Sequence, residues 1–99
     1  MSIIVAIRFP MPPEKANQLV AENPEPLAAV SKIIDRHGGR FLLRLARDEE
    51  FIDLDEWPSA EVYEQFKAEA RPQIDAFEDS LGVRSTDEVW TAWRGPQDS

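Results

Sequence analysis

Ile3, Val5, Ile7 and Phe9 alternate with Ile4, Ala6 and Arg8, a β-branched run that predicts a first strand closed by Pro10, Pro12 and Pro13. From Pro13 the apolar spacing changes to Ala16, Leu19 and Val20. After Asn23-Pro24-Glu25-Pro26 it resumes at Leu27, Val30, Ile33, Ile34 and His37. This is helical periodicity interrupted by prolines, so two helical pieces are expected, the second stopped by Gly38-Gly39. Phe41–Arg47 and Phe51–Trp57 alternate again around a short polar connection, Asp48-Glu49-Glu50, and predict an antiparallel hairpin. Pro58-Ser59 opens a third helical stretch, with Ser59 as N-cap and Val62, Tyr63, Phe66, Ala70, Ile74, Phe77 and Leu81 on one stripe up to Gly82. Pro72 is expected to kink or divide it. Val89–Trp93 reads as a last strand, followed by a tail, Gly95-Pro96-Gln97-Asp98-Ser99, that is expected to fray. The order β-α-β-β-α-β is that of an α+β, ferredoxin-like domain, a four-stranded antiparallel sheet with both helical layers on one face.

Alternation also assigns faces. With Ile3, Val5, Ile7, Phe41, Leu43, Leu45, Ile52 and Leu54 turned to the helices, the opposite face carries Ile4, Ala6, Arg8, Leu42, Arg44, Ala46, Phe51, Asp53, Asp55 and Trp57. That face is too apolar for water. Pressing it against a second copy closes two sheets into a shared barrel, so a homodimer through the open sheet face is expected.

The 99 residues, 42% hydrophobic, suit one compact domain spanning 1–99. A net charge of −8, with no basic run, repels phosphate backbones and anionic lipid, which removes nucleic acid and membrane surfaces from the expected partners. No cysteine and a single histidine leave no cluster for zinc, iron–sulfur or copper, so no metal is expected. The acidic stretch from Asp48 to Asp55 lacks the central glycine of a calcium loop and reads as a solvated turn. Phosphate loops, serine-hydrolase elbows and zinc-protease motifs are missing from the chain. The first residues lack a basic region and a long apolar run, and the expected location is cytoplasmic.

Arg8, Arg44, Asp53 and Asp55 are the candidate chemistry, gathered by alternation on neighbouring strands with Trp57 at the end. One reading is cross-strand ion pairing. The other is the polar floor of a cavity, where Arg44 or Arg8 holds a substrate anion and Asp53 or Asp55, partly desolvated, is the catalytic base. Trp57 and Tyr63, flanking the third strand and its helix, are candidate substrate-binding walls or else core. His37, on the apolar stripe of its helix beside Gly38 at the C-terminus, reads as a cap or a satisfied core group ahead of a catalytic base.

The segment Phe-Ile-Asp-Leu-Asp-Glu-Trp-Pro-Ser-Ala-Glu-Val-Tyr-Glu-Gln-Phe, residues 51–66, resembles the antibiotic biosynthesis monooxygenase-like proteins of the dimeric α+β barrel superfamily, through a strand ending in Glu-Trp followed by Ser-x-Glu-x-Tyr-x-x-Phe. The resemblance in element order covers nearly the whole chain. It implies a homodimer with one cavity per protomer between sheet and helices, and oxidation of phenolic or quinol-type substrates by O₂ without metal or flavin. Trp57 looks like the family's cavity aromatic. Members that degrade haem or oxidise anthrones carry an Asn before that aromatic and often a His in the next helix, whereas the matching places here hold Asp53 or Asp55 and Phe66. The expectation is a cofactor-free monooxygenase-like protein for an aromatic, quinol or polyketide-type molecule. A polyketide cyclase-like enzyme and a non-catalytic dimeric ligand-binding protein are the alternatives.

Overall fold

The computed structural model describes residues 2–93, so the expectation for the Gly95–Ser99 tail lies outside the described residues. Strand β1 (Ile3–Phe9) leads to α1 (Pro13–Glu22) and α2 (Glu25–Arg36). Next come β2 (Arg40–Arg47), β3 (Glu50–Trp57), α3 (Ala60–Leu81) and β4 (Thr86–Thr91). The strands form one antiparallel sheet in the order β2-β3-β1-β4, the ferredoxin-like arrangement.

Local chemistry sets the element ends. Pro13 starts α1, where its missing N–H has no helical acceptor to lose. Gly38, at φ 79°, turns the chain after α2, and Gly82, at φ 78°, does the same after α3. Both are left-handed conformations that glycine adopts without a Cβ clash. The Ser59 hydroxyl accepts a hydrogen bond from the Val62 N–H at 3.2 Å and caps α3. Of the kink or division expected at Pro72, the division does not occur: α3 runs unbroken from Ala60 to Leu81. The last strand also begins and ends earlier than its apolar residues suggest. Trp93 lies beyond it and is exposed.

The register corrects the assignment of faces. Ile3, Val5, Ile7 and Phe9 stand opposite Trp57, Asp55, Asp53 and Phe51, and residues directly opposite share a face. The odd residues of β3 therefore look toward the helices, while Ile52 and Leu54 look away. Arg44 pairs with Asp53 and joins it on the helix side, whereas Leu43 and Leu45 pair with Leu54 and Ile52 on the open side. A bulge between Phe41 and Leu43 lets Phe41 stay on the helix side. Burial explains the choice: Phe51 and Trp57 are the two largest fully buried side chains, and their aromatic area outweighs that of Ile52 and Leu54.

Two core clusters lie between sheet and helices. One joins Ile3, Val5, Val30, Ile33, Trp57, Tyr63, Phe66 and Ala70, and the other joins Phe9, Met11, Ala16, Phe51 and Leu81. The rings of Phe9 and Phe51 stack at 4.8 Å, and Trp57 packs on Phe66 at 4.7 Å. Trp57 also fixes the α2–β2 turn, because a Cβ on Gly39 would lie 2.7 Å from its ring and 2.8 Å from Ile34. Gly39→Ala is therefore expected to destabilise the domain by about 2–3 kcal/mol through overpacking. Urea unfolding of the variant checks this, and an unchanged midpoint refutes it. No helix of the described residues is long and apolar enough to cross a membrane.

Candidate active-site cavity

Two hollows open between the sheet and the helices and meet behind β3. The first, about 380 Å³, lies under α2 and α3 toward β4. The second, about 450 Å³, lies under α1 and α2 toward β2. They share Phe9, Leu27, Ile34, Asp53, Asp55 and Phe77, so two carboxylates sit at a junction whose other residues are apolar. Their combined space is sufficient for a small organic molecule.

Asp53 and Asp55 lie two residues apart on one face of β3, and their environments differ. The Arg44 guanidinium grips Asp53 in a fork, with Nε donating to Oδ1 at 2.6 Å and Nη2 to Oδ2 at 3.1 Å. Arg44 also donates to Asn17 Oδ1 at 3.2 Å and lies 4.1 Å above the Phe51 ring. Asp55 is 7% exposed, and among the described residues no side chain forms an ion pair or hydrogen bond with its carboxylate. Burial, reinforced by the neighbouring Asp53 charge, pushes its pKa from 3.8 up to about 6.

At the β4 end the Tyr63 hydroxyl donates to Asp87 Oδ2 at 2.5 Å, and Lys67 Nζ reaches the same oxygen at 3.2 Å. Burial raises the Tyr63 pKa, and the hydrogen bond to Asp87 adds to the rise, so the phenol stays protonated. Burial opposes the Asp87 charge, but hydrogen bonds from Tyr63 and Lys67 outweigh it and lower the Asp87 pKa. Nearer solvent, Arg71 lies 3.8 Å from Asp75, and Arg84 lies 3.6 Å from Glu78. Each cation facing the cleft is thus close to a carboxylate that also faces it. Asp55 is the carboxylate left over.

The fold therefore brings Arg44, Asp53, Asp55 and Tyr63 to one cavity and separates Arg8 and Trp57 from it. Arg8 points out of the open sheet face and pairs with Glu50, because it opposes Ile52 rather than an odd residue of β3. Trp57 is 1% exposed and packs behind Tyr63 and Phe66, not on the cavity wall, with its Nε1 unpartnered among the described residues. His37 caps α2 and meets Glu69 at 2.9 Å, away from the cleft. The sequence reading missed Lys67 and Asp87. Lys67 follows Tyr63 by four residues on α3, a spacing that puts both on one helix face, but Asp87 precedes the expected last strand. Among the described residues no cluster of acidic, His or Cys side chains is placed to hold a metal ion.

No protein-family profile and no curated protein matches the sequence. Solved structures do match the fold. A NIPSNAP family protein from Agrobacterium tumefaciens superimposes with a TM-score of 0.67 at 12% identity over 95% of each chain. SnoaB, a cofactor-independent oxygenase from Streptomyces nogalater, gives 0.58 at 14% identity over 95% of each chain. A Deinococcus radiodurans protein assigned to the antibiotic biosynthesis monooxygenases gives 0.58 at 18% identity, again over 95% of each chain. The chain therefore has the fold that these antibiotic biosynthesis monooxygenase-like structures share with the NIPSNAP structure.

Proposed function

We propose that the protein is a cofactor-independent monooxygenase for an aromatic, quinol or polyketide-type small molecule, working as a homodimer. The observation that carries this reading is Asp55, a buried and unmatched carboxylate at the apolar junction of the two hollows, with its pKa raised to about 6. A base poised near neutral pH is suited to taking a proton from carbon or oxygen activated by an adjacent ring or carbonyl. The likeness in fold to SnoaB supports the same class of chemistry.

In the proposed cycle, Asp55 removes a proton from an activated CH₂ group, and the carbanion adds O₂ to form a C–O bond. The resulting peroxide anion recovers the proton from Asp55. Loss of water then breaks the O–O bond and leaves C=O, so that CH₂ and O₂ become C=O and H₂O. The substrate supplies all four electrons. Arg44 holds the Asp53 carboxylate in place beside the base, and Tyr63 and Phe66 form the wall against which a flat ring stacks.

Oxygen-electrode assays with a panel of anthrones, naphthols and hydroquinones test this reading. Oxygen uptake, with one atom of ¹⁸O₂ recovered in the product, is the expected result. A product that has lost water without gaining oxygen assigns a cyclase instead, and binding without turnover across the panel assigns a ligand-binding protein.

A further inference from the structure

The proposed reading makes Asp55 the base; the charge pattern around it adds a rule for what the cavity admits. Arg44, Lys67, Arg71 and Arg84 each lie within ion-pair distance of a carboxylate that also lines the cleft. Asp55 remains unmatched, beside Asp53, on a floor otherwise built of Phe9, Leu27, Ile34 and Phe77. Arg84 and Lys67 are also shared with Asp79 and Glu64 outside the cleft, so the cleft carries at least one uncompensated negative charge and no uncompensated positive one.

From this geometry we infer that the cavity selects uncharged aromatic ligands that present an O–H or N–H donor to Asp55, and rejects the corresponding anions. A neutral donor gives the buried carboxylate the hydrogen bond it lacks. An anion instead sets a second unmatched negative charge beside the first, in a site where both are poorly solvated. Proton transfer from ligand to Asp55 leaves the total charge of the cleft unchanged, so the cavity tolerates an anion generated inside it but not one that arrives from solvent. Arg44 is a poor anchor for an incoming carboxylate, because Asp53 occupies its fork and neutralises its charge, and Asn17 takes a third N–H donor. The acidity of the whole chain, −8, acts in the same direction at longer range.

This inference rests on the cavity being the ligand site, and it is tested without turnover. Calorimetric titration of the purified protein at pH 7 compares 2-naphthol, a neutral donor, with its methyl ether, which has no donor, and with 2-naphthoate, an anion of similar shape. Naphthol is expected to bind at least about tenfold more tightly than either. In Asp55→Asn the naphthoate disadvantage should shrink to within about threefold, since the amide leaves no charge to oppose it. Naphthoate binding as tightly as naphthol, a naphthoate gap unaffected by the substitution, or no binding of any probe up to millimolar concentration would each overturn charge selection. The oxygenase reading fails separately, when ligands that bind in this titration consume no oxygen.

Discussion

Asp55→Asn is expected to remove activity and, at pH 7, to make the protein more stable. The amide cannot take a proton, so turnover should fall by about 10²–10⁴-fold, the range that general base catalysis contributes. The stability gain follows from the sign of the pKa shift. Asp55 titrates near 6 in the folded chain against an ordinary value of 3.8, so the native state binds its proton more tightly than the unfolded one. Below the ordinary value both states are protonated and Asp55 exerts no pull on folding. As pH rises through the interval to about 6 the unfolded state ionises first, and stability is lost. Above about 6 the loss is complete and amounts to about 3 kcal/mol. Asparagine has no such dependence. Thermal melts of both proteins at pH 4 and pH 7 should therefore nearly coincide at the lower pH and differ by about 10 °C or more, with the variant higher, at the upper. A variant that melts below the parent at pH 7 would mean that Asp55 has a cationic partner. That is the behaviour expected of ion pairing, which in this fold belongs to Asp53 through Arg44.

The contrast between the two aspartates explains what the sequence could and could not convey. Element order was legible because proline, glycine and the change from two-residue to helical spacing mark each boundary, as Gly38 and Ser59 do. The face of β3 was not. Ile52 and Leu54 alternate with Asp53 and Asp55, which sends the carboxylates to the open side by the usual rule that polar residues face out. The ends of the same strand, Phe51 and Trp57, carry the larger apolar surface and decide its orientation, which forces both aspartates inward. The fold accommodates them differently, one by Arg44 from the adjacent strand and the other by an open cavity. Only the first has a counterpart visible as opposite charges on neighbouring strands. A carboxylate that violates the inside–outside rule without a partner is the pattern of a functional position, where local consistency gives way to chemistry. Tyr63 and Lys67 share a helix face, but Asp87, which ties them together, became visible only once β4 was seen to begin at Thr86.

Reversing β3 also changes the surface proposed to meet a second copy. The open side carries Leu43, Leu45, Ile52 and Leu54 across β2 and β3, with Ile4 and Ala6 on β1 and Trp90 on β4. This face is more apolar than the one anticipated, because the two aspartates and Arg44 have left it. Leu43 is 47%, Leu45 51% and Trp90 56% exposed in the single chain. Charge lies toward one end of this surface, where Arg8 and Arg47 both bind Glu50, and at the other, where Arg40 binds Glu56. Between these ends the strip across β2, β3 and β1 is apolar, bordered on the edge strand β4 by Glu88 opposite Ala6; monomers seldom expose such a strip, and twofold pairing would cover it with its own copy. Leu43→Asp places a carboxylate in that strip. In the monomer it is hydrated and costs the fold little, but in a twofold dimer it is buried twice, at several kcal/mol for each charge. Light scattering should report a wild-type dimer and a folded, monomeric Leu43→Asp variant at the same micromolar concentration. Two protomers of −8 each also repel one another, so added salt should tighten the wild-type dimer, the reverse of what association through ion pairs would give. A wild-type monomer, or a variant still dimeric, would place the partner surface elsewhere.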